Sequence, residues 1–383
     1  MNVLFVTRGF PSETDIMVGN YEAVQAKAIA AKGCHVSVMS IKLKSVLHLF
    51  SRGKTSHRVV DGIDVYLCTR IRFSTRFWST PKLDSIIAEK AYRQVFKKYV
   101  DEKGIPDVVH AHIVSVASPV YFMKEEYHLP FVITEHWTAM NRSEISDWLK
   151  QQLFIYHHAD CVICVSQALS DSLKQNFNVN SIVINNMVSE QFFKSIKIER
   201  SDNTFRFVAC GAFRANRNKG FDILVDAFAH SHFPQTVSLT IIGDGPDRKY
   251  IESKIADYGL SDQIQLLGTK TPEEVNDILC HSDCFVLSSR LETFAIVVIE
   301  AMAKGLPVIA TRSGGPETFL KPEHGVLVDK ENVEQLTQAM KYMTEHYIDY
   351  NSDEIRQYCY EHFSQDVIAD QIIGVYNTVL SNN

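Results

Sequence analysis

The fold of the C-terminal half is decided by the stretch Ser288-Ser-Arg-Leu-Glu-Thr-Phe-Ala-Ile-Val-Val-Ile-Glu-Ala-Met-Ala-Lys-Gly-Leu-Pro-Val-Ile-Ala310. An apolar, strand-like run precedes it, and a second β-rich run closes it. We expect a helix that starts near Thr293 or Phe294 and ends near Lys304, where Gly305 suits the C-terminal cap. Strand, loop, helix and strand in this order are typical of a parallel α/β unit.

Two carboxylates lie in this stretch, Glu292 and Glu300, with seven residues between them. Glu300 lies inside an apolar run, so we expect it to be largely buried. A helical rise of about 1.5 Å per residue would separate the carboxylates by roughly 12 Å, with the N–H groups of a helix N-terminus between them. This pattern suits a nucleotide-diphosphate sugar, which has hydroxyls at both ends and phosphates in the middle. The alternative is a capping glutamate plus a buried glutamate that holds a neighbouring loop.

The composition is that of a soluble globular protein, with 383 residues, 45% hydrophobic and 22% charged. This length predicts two domains with separate cores, and the net charge of −6 argues against nucleic-acid binding. Without a run of about 20 apolar residues we expect no membrane-spanning helix. The first residues predict a strand rather than a signal peptide. Eight scattered cysteines favour reduced thiols in a cytoplasmic protein.

Short cysteine and histidine spacings do not predict a metal or redox site. Cys161 and Cys164 lie in one strand-like run, and the pair Cys280 and Cys284 has no second ligand pair. The two histidines of the run 108–112 are expected to be strand residues rather than metal ligands.

Strand-like runs alternate with amphipathic helical stretches along most of the chain, which predicts parallel sheets with crossover helices. In the N-terminal half we expect a helix at 21–31 and strands at 3–6, 35–39, 108–112, 131–134, 161–165 and 181–184. After a polar linker at 194–203 we expect strands at 205–210, 237–242, 264–267, 284–287 and 307–310. The helices between them are expected at 220–230, 247–258, 272–280 and 294–304.

The last helical stretch, about 353–380, is long enough to reach back to the first domain. We therefore predict an N-terminal, acceptor-binding domain at 1–190, on which a helix at about 366–383 packs back. A donor-binding domain is predicted at 191–365. Two doubly wound sheets of this kind predict ligand binding in a cleft between their C-terminal edges.

The segment 42–82 departs from the acidic character of the chain. It contains nine basic residues, Lys42, Lys44, Arg52, Lys54, Arg58, Arg70, Arg72, Arg76 and Lys82, against the two acidic residues Asp61 and Asp64. It also carries Phe50, Phe73, Phe77 and Trp78. A basic, aromatic surface could touch anionic lipid head groups or a phosphate-bearing acceptor. The alternative is a pair of solvated loops around a strand at 65–67.

The C-terminal half resembles glycosyltransferase family 4, whose members look like two-domain GT-B transferases. The resemblance rests on Gly211 followed by Lys219-Gly-Phe-Asp222, on Leu239-Thr-Ile-Ile-Gly-Asp-Gly-Pro246, on Leu267-Gly268 and on the block Glu292 to Gly315. The N-terminal half matches more loosely, through Gly19, Val109-His-Ala-His112, Thr134-Glu-His136 and Asn186-Met-Val188. The resemblance implies an α/β fold of the GT-B type, with two Rossmann-like domains facing a central cleft.

The resemblance also implies roles in donor binding. Glu292 would contact the transferred sugar, and Glu300 the nucleotide ribose. The N–H groups of Phe294 and Ala295 would face the diphosphate, and Lys219 would neutralise charge on the leaving group. Two glycines of the matching motifs, Gly243 and Gly268, are expected to border the donor.

Three further residues complete the expected site. His136 resembles an N-domain histidine near the transferred sugar, and Gly19 would let the first loop approach the ligand closely. Arg214 is our choice for the phosphate-binding arginine, with Arg217 as the alternative, because this loop is longer than in many members. Ala295 replaces the glycine usual in the family, which could change how closely the backbone approaches the phosphate.

These residues predict a retaining glycosyltransferase that needs no metal or other cofactor. It would move a sugar from a nucleotide-diphosphate donor, UDP being preferred on frequency in the family, to a hydroxyl of a saccharide or lipid-linked saccharide. We expect a role in cell-surface polysaccharide or glycoconjugate biosynthesis, in the cytoplasm or at the inner face of the plasma membrane. The alternatives are another GT-B activity on a soluble acceptor, such as an epimerase or a sucrose-type synthase, and a catalytically silent subunit that binds sugar nucleotide or a partner transferase.

Overall fold

The computed structural model describes residues 1–11, 18–45, 55–72, 81–141, 144–195, 197–198 and 202–382, without the side chains of residues 44–45, 71–72 and 81–82. Within these ranges the chain forms two compact units. Unit 1 contains residues 1–185 and 365–383, and unit 2 contains residues 186–364. The predicted boundaries were 190/191 and 365/366.

Unit 1 is built around one mostly parallel sheet with strand order β3-β4-β2-β1-β5-β6-β7-β8. Its strands are β1 (Asn2–Thr7), β2 (His35–Ser45), β3 (Thr55–Val60), β4 (Ile63–Arg72), β5 (Val108–His112), β6 (Phe131–Glu135), β7 (Cys161–Cys164) and β8 (Ile182–Val183). Strands β1, β5 and β6 are buried almost throughout, as expected for a parallel sheet covered on both faces. The edge strand β3 pairs antiparallel with β4.

The helices of unit 1 cover both faces of this sheet. They are α1 (Asn20–Ala31), α2 (Pro81–Lys103), α3 (Val114–Ala117), α4 (Phe122–Tyr127), α5 (Asp147–Gln152), α6 (Phe154–His158), α7 (Gln167–Phe177) and, from the end of the chain, α15 (Gln365–Ser381). Helix α15 is held on α1 by Lys32, whose Nζ lies 3.0 Å from carboxylate oxygens of both Asp366 and Asp370. The Tyr376 hydroxyl, 2.6 Å from His110 Nδ1, joins α15 to the sheet.

Unit 2 repeats this architecture with strand order β11-β10-β9-β12-β13-β14 and parallel pairing throughout. Its elements are α8 (Gln191–Lys194), β9 (Phe205–Cys210), α9 (Phe221–Ser231), β10 (Val237–Ile242), α10 (Arg248–Asp257), β11 (Ile264–Leu266), α11 (Pro272–Cys280), β12 (Cys284–Leu287), α12 (Ile296–Met302), β13 (Val308–Thr311), β14 (Gly325–Val328), α13 (Val333–His346) and α14 (Ser352–Phe363). A core of Phe, Leu, Ile and Val side chains lies between sheet and helices.

The strand order gives each sheet a switch point. In unit 1 the chain proceeds from β1 to one side through β2, and from β5 to the other side through β6. In unit 2 the corresponding neighbours are β9 and β12. The loops after two such strands diverge to opposite faces of the sheet and leave a crevice, which is where open α/β sheets bind ligands. The chain topology therefore predicts one binding crevice at the carboxyl edge of each sheet.

Four local predictions from the sequence were wrong. Helix α12 begins at Ile296 rather than near Thr293 or Phe294, because Ala295 has left-handed backbone angles (φ 75°, ψ 66°) that no α-helix accommodates. The expected single helix at 353–380 is two helices, because Ser364 has an extended backbone (φ −64°, ψ 155°). Strand β14 was not foreseen, and the expected strand at 35–39 continues to residue 45.

The basic segment 42–82 is only partly described. Most of its described residues belong to β2, β3 and β4 rather than to loops around a short strand at 65–67. Arg58 donates to the carbonyl of Pro11, and Arg70 donates to the Gln94 side chain. The side chains of Lys44, Phe50, Arg52, Lys54, Arg72, Phe73, Arg76, Phe77, Trp78 and Lys82 lie outside the described residues.

Candidate functional site

An ion pair at the switch point of unit 2 forms the centre of the candidate site. Lys219 follows β9 and Glu292 follows β12, and Lys219 Nζ lies 2.6 Å from Glu292 Oε1. Seventy-three residues separate the two in sequence, so the pair exists only because β9 and β12 are neighbours in the sheet. The Lys219 side chain is 23% exposed and that of Glu292 9%. The lysine therefore offers its charge at the surface of the crevice, while the carboxylate lies deeper.

Three hydroxyl-bearing residues hold Glu292 in place. Ser289 Oγ donates to Glu292 Oε1 at 2.6 Å, and the carbonyl of Ser313 accepts the Glu292 N–H at 2.8 Å. Thr311 Oγ1 donates to the Ser289 carbonyl at 2.5 Å, which fixes the serine from the next strand. A carboxylate held this way is preorganised. The sequence analysis missed Ser289, although a pair of serines directly after a buried strand was a visible signal.

Glycines allow the loops of this site to pack closely. A Cβ on Gly220, at φ +64°, would lie 2.0 Å from the carbonyl oxygen of Ser288. A Cβ on Gly243 would lie 1.9 Å from the carbonyl oxygen of Gly211, and one on Gly211 would be 3.0 Å from Lys219 Cγ. The Lys219 side chain therefore packs directly against the backbone of Gly211. A larger residue at Gly211, Gly220 or Gly243 would displace this lysine or the loops beside it.

Arg290 clamps the loop that carries Lys219. Its guanidinium makes two 2.9 Å hydrogen bonds to Asp222 and a third, of 2.6 Å, to the carbonyl of Arg217. Its backbone N–H donates to the carbonyl of Asn218 at 2.8 Å. Burial raises the pKa of Asp222, but the hydrogen bonds and the charge of Arg290, together with backbone hydrogen bonds, lower that pKa overall. The sequence analysis did not identify this arginine, whose partners lie about 70 residues earlier.

The segment between the two glutamates presents its backbone rather than its side chains. The Phe294 ring is buried and packs against the rings of Phe319 and Phe363, with centroids 4.9 and 5.8 Å apart. Ala295 is the N-cap of α12 and makes no side-chain capping bond. A Cβ on Gly315 would lie 2.5 Å from Phe294 Cα, so the loop after β13 packs directly on this backbone. A contribution of Phe294 and Ala295 to ligand binding would therefore come from N–H groups.

Glu300 lies on α12, five residues after Ala295, with its side chain only partly exposed. Burial raises the pKa of Glu300 to about 8. Burial, followed by the charge of Glu300, raises the pKa of the neighbouring Cys210 to about 12, so this residue remains a neutral thiol. A carboxyl group with a raised pKa is typical of a site that receives a polar ligand.

Glu300 should make the unfolding free energy of the unliganded protein depend on pH. Its pKa is about 8 in the folded protein and near 4.5 when exposed, so the folded state holds an extra proton between these pH values. Stability therefore falls as pH rises from about 4.5 to 8, by up to about 1.4 kcal/mol per pH unit. Glu300→Gln removes this pH-dependent loss of stability. The melting temperature of the variant, relative to that of wild type, should therefore increase from pH 5 to pH 8. Glu273→Gln, on the exposed first turn of α11, is the control. A difference in melting temperature between Glu300→Gln and wild type that stays constant with pH would contradict the raised pKa of Glu300.

The structure distinguishes the two candidate phosphate-binding arginines. Arg217 is already engaged, because its guanidinium lies 3.6 Å from the Tyr250 ring centroid and its Nε lies 3.2 Å from Asp247 Oδ1. Arg214 is exposed and makes no side-chain hydrogen bond or ion pair to any residue that the structure describes. An uncompensated cation attracts an anion more strongly than one with a carboxylate partner. This favours Arg214.

Substitution of Arg214 should therefore reduce mainly activity, and substitution of Arg217 should reduce mainly stability. We expect Arg214→Ala to lower kcat/KM at least tenfold with little change in Tm, because it removes a ligand contact. Arg217→Ala should lower Tm and change kcat/KM by less than about threefold, because it removes internal contacts. Initial rates and thermal melts of both variants measure this difference. The reverse pattern would assign the phosphate contact to Arg217.

The two glycines that were predicted to border the donor, Gly243 and Gly268, meet in a backbone bridge. The Gly243 N–H donates to the Gly268 carbonyl at 2.8 Å and joins the loops after β10 and β11. Both have positive φ, 133° and 72°. Asp244 accepts the Gly245 N–H at 2.7 Å, as expected for a turn residue. These glycines place two loops side by side at the carboxyl edge of the sheet.

In unit 1 the predicted residues also lie at the switch point. His136 directly follows β6, and its Nε2 lies 3.9 Å from Glu22 Oε1 on α1. Burial, followed by the charge of Arg8, lowers the pKa of His136 to about 3, so the imidazole is neutral. Gly19, at φ +71°, begins α1, and a Cβ there would lie 2.2 Å from the Gly9 carbonyl oxygen. The sequence analysis did not anticipate Glu22.

The buried carboxylate next to His136 has a structural role. Glu135 accepts the backbone N–H groups of Val114, His136 and Trp137 and the hydroxyl of Tyr156, at 2.5 to 3.0 Å. These four bonds fix the turn in which His136 lies. Burial raises the pKa of Glu135, and the hydrogen bonds oppose this rise. His136 therefore projects from a rigid support.

The described ranges contain neither a metal-binding cluster nor a membrane-spanning helix. No group of three or more His, Cys, Asp or Glu side chains there is arranged to hold a metal ion. None of the helices described is long and apolar enough to cross a bilayer.

Two family models match the chain. Residues 18–192 match the model described as Glycosyltransferase Family 4, and residues 189–362 match the one described as Glycosyl transferases group 1. The first match lies largely in unit 1, and the second lies in unit 2. Lys219, Glu292 and Glu300 all fall inside the second match.

Individual relatives agree with these matches. The chain is 27% identical over 322 residues, 79% of its length, to an uncharacterized glycosyltransferase of Methanocaldococcus jannaschii, covering 88% of that protein. It is 29% identical over 221 residues, 54% of its length, to the GPI3 subunit of phosphatidylinositol N-acetylglucosaminyltransferase from Saccharomyces cerevisiae. That second match spans 48% of the yeast subunit, about half its length.

A comparison with solved structures confirms the predicted fold class. Anabaena HepE, solved with UDP and glucose, aligns with a TM-score of 0.73 at 19% identity, over 98% of this chain and 99% of HepE. At this identity the likeness shows the fold, which is the GT-B type with two parallel-sheet domains.

Proposed function

Because the chain belongs to glycosyltransferase family 4 and is a glycosyltransferase, we propose that it moves a sugar from a nucleotide-diphosphate donor to an acceptor hydroxyl with retention of anomeric configuration. The observation that carries this proposal is the Lys219–Glu292 pair at the switch point of unit 2. The raised pKa of Glu300, which lies on the helix that follows Glu292, also supports this proposal.

The proposed chemistry is positioning and charge stabilisation. Departure of the nucleoside diphosphate builds negative charge, which Lys219 and Arg214 would neutralise together with the N–H groups of Phe294 and Ala295. Glu292 would then accept hydrogen bonds from the transferred sugar, and a ribose hydroxyl would bind Glu300. Gly243 and Gly268 would border the donor. No bound metal is needed, because these groups supply the positive charge.

No side chain needs to serve as the base in this reaction. As the bond to the leaving group breaks, an oxygen of the donor phosphate would accept the proton of the acceptor hydroxyl. The new glycosidic bond then forms on the face that the leaving group has left, which preserves the configuration. His136 and Gly19 of unit 1 would border the reacting sugar. The neutral imidazole of His136 suits a hydroxyl rather than a phosphate.

We propose UDP as the nucleotide and a lipid-linked saccharide as the acceptor. HepE, solved with UDP and glucose, supports the first choice, and the phosphatidylinositol acceptor in the name of the yeast relative supports the second. Such acceptors belong to the synthesis of cell-surface polysaccharide and glycoconjugates. The enzyme would work in the cytoplasm, at the inner face of the plasma membrane.

A thermal-shift panel of UDP-, GDP-, ADP- and TDP-sugars tests the donor proposal. A donor that binds only the folded protein raises its Tm, by an amount that grows with concentration. We expect a UDP-sugar to shift wild type and to shift Glu300→Ala much less. Product analysis with the same donor separates transfer from epimerisation, because an epimerase releases a changed nucleotide sugar without acceptor. If none of the nucleotide sugars in the panel shifts the Tm of the wild-type protein, the donor proposal is contradicted.

Membrane contact through the segment 42–82 is part of the acceptor proposal. Leu83 and Ile86 support it, since they are 41% and 50% exposed at the start of α2, directly after this segment. Apolar residues next to basic ones bind anionic lipid surfaces.

Charge reversal of this segment tests the contact. Replacing Arg70, Arg72 and Arg76 by Glu should abolish binding to vesicles containing phosphatidylserine, because about 1 kcal/mol of attraction per basic residue becomes repulsion. Vesicle sedimentation measures the binding. The matched control reverses three exposed lysines of unit 2, at positions 249, 330 and 341, which should leave binding unchanged. Equal sedimentation of wild type and the arginine variant would exclude the segment as the contact.

A further inference from the structure

Strand β5 carries two buried histidines that differ in their hydrogen bonding. His110 and His112 are both 0% exposed, and their rings stack with centroids 4.7 Å apart. His110 is satisfied at both nitrogens, by the Tyr376 hydroxyl at 2.6 Å and by Thr134 Oγ1 at 2.7 Å. Neither nitrogen of His112 has a hydrogen-bond partner among the described residues. Buried polar groups are rarely left unpaired, so His112 requires an explanation that His110 does not.

Within the described ranges, two further unpaired polar atoms are connected to His112 through the ring of His136. Its ring centroid is 5.8 Å from that of His136, whose Nε2 is also buried without a partner in the described part of the chain. The ring centroid of Tyr21 lies 5.8 Å from that of His136. Gln25 donates to the Tyr21 hydroxyl at 3.3 Å, but its Oε1 is buried and, among the described residues, unpaired. The Gln25 residue is 2% exposed.

These residues meet at the switch point of unit 1. His112 ends β5, His136 follows β6, and Glu22 and Gln25 lie on α1, which follows β1. Strands β1 and β5 are the neighbours from which the chain diverges, so the unpaired atoms face the region where such a sheet binds ligands. Glu22 is 5% exposed and lies 3.9 Å from His136 Nε2, too far for a hydrogen bond but close enough for both to hold one ligand group.

The chemistry of the cluster selects a neutral, hydroxylated ligand. The imidazoles of His112 and His136 are neutral, because burial lowers their pKa values far below the ordinary range. Each then offers a donor and an acceptor, while Gln25 Oε1 and the Glu22 carboxylate only accept. The nearby cation is Arg8, which is exposed at the end of β1. The Glu22 carboxylate would repel a phosphate here, whereas hydroxyls can donate to some of these groups and accept from others.

We propose that Glu22, Gln25, His112 and His136 form a subsite of unit 1 that binds the hydroxyls of one pyranose ring, with His112 and Gln25 as specificity-determining residues. This inference rests on the proposed function, in which either the donor's sugar or the acceptor's sugar could supply the ring. It assigns to His112 a role that its neighbour His110, fully bonded inside the unit, does not have.

The test uses the full-length protein and the matched variants His112→Leu and His110→Leu, together with Gln25→Leu. Removing an unpaired buried polar group does not destabilise a fold, whereas removing one partner of two buried hydrogen bonds does. We therefore expect His112→Leu to melt at or above the wild-type Tm and His110→Leu to melt several degrees lower. Gln25→Leu should melt between them, because it also removes the donor to the Tyr21 hydroxyl. A Tm loss for His112→Leu equal to that of His110→Leu would mean that His112 has a structural role, bonded through buried water, and would overturn the proposal.

Two binding arms then identify the source of the ring. In the first, saturation-transfer NMR measures binding of methyl glycosides of glucose, galactose and N-acetylglucosamine. In the second, titrations compare UDP with the UDP-sugar that shifts wild type most. Loss of methyl glycoside binding, by about tenfold or more in His112→Leu and Gln25→Leu, assigns the subsite to the acceptor. Tenfold weaker binding of the UDP-sugar with unchanged binding of UDP assigns it to the donor's sugar.

Unchanged saccharide binding in both arms would overturn the subsite. So would a wild-type protein that binds neither methyl glycosides nor the sugar part of the donor, seen as equal affinity for UDP and UDP-sugar. Failure of the proposed function looks different, because no nucleotide would then bind at all. The UDP titration therefore separates an error about unit 1 from an error about the enzyme.

Discussion

Lys219→Met is expected to lower kcat/KM about 100- to 1,000-fold, the loss measured when one preorganised group that stabilises transition-state charge is removed. Lys219 Nζ lies 2.6 Å from Glu292 at the carboxyl edge of β9 and β12, where the leaving diphosphate would bind. Methionine keeps most of the length of the side chain but not the charge. It also leaves Glu292, whose side chain is only 9% exposed, without its cation.

Steady-state rates with the preferred donor measure this loss, and the effect should lie in kcat more than in the KM for the donor, because charge develops in the transition state. The control is Lys330→Met, which removes an exposed lysine of unit 2 and should leave kcat/KM within about twofold of wild type. A loss of less than fivefold in Lys219→Met, with a normal melt, would show that the leaving group is neutralised by other residues.

Gly220→Ala is expected to lower the free energy of unfolding by more than about 3 kcal/mol and to abolish transfer. A Cβ at this position would lie 2.0 Å from the Ser288 carbonyl oxygen and 2.9 Å from its carbon, which are backbone atoms that cannot rotate away. The loops after β9 and β12 would have to separate, and with them Lys219 and Glu292. Overlap of this kind, added to a positive φ, belongs to the rare class of severely destabilising single changes.

Gly259→Ala provides a matched control for Gly220→Ala. Gly259 has nearly the same backbone angle, φ +66° against +64°, but a Cβ there would meet no heavy atom within 4 Å. This variant should therefore lose only the cost of a left-handed alanine, about 1 to 2 kcal/mol, and keep its activity. Chemical denaturation of both variants measures the difference. Equal losses would mean that conformation alone, rather than the contact with Ser288, makes position 220 intolerant of a side chain.

Much of the architecture could be predicted because buried parallel strands are continuous apolar runs bounded by turn residues. Strand β5 and, in unit 2, β9, β10 and β12 have the predicted bounds. The errors occurred where local pattern competes with context. The backbone of Ala295 is left-handed although alanine favours helix, and the loop that carries Gly315 packs directly on the preceding residue. Strand β14 is defined mainly by its pairing with β13.

The candidate site divides in a similar way. The charged residues Lys219, Glu292 and Glu300 could be selected from their motifs, because an ionised side chain beside an apolar run is unusual in any soluble protein. Arg290 and Ser289 could not, because their role depends on partners contributed by other loops. The sequence led to the same prediction for His110 and His112, both as strand residues. A strand pattern does not show which of two histidine rings has a hydrogen-bond partner.

The amino-acid sequence by itself determined the alternation of strands and helices, the family, and the titratable residues at the ends of β9, β12 and α12. These follow from local composition and spacing, which act over a few residues. Only the tertiary structure decided that Lys219 pairs with Glu292. It also decided that, among the described residues, the Arg217 side chain has a hydrogen-bond partner while the side chains of Arg214 and His112 have none. Strand order decides such contacts, because it brings together side chains that are up to 73 residues apart in unit 2.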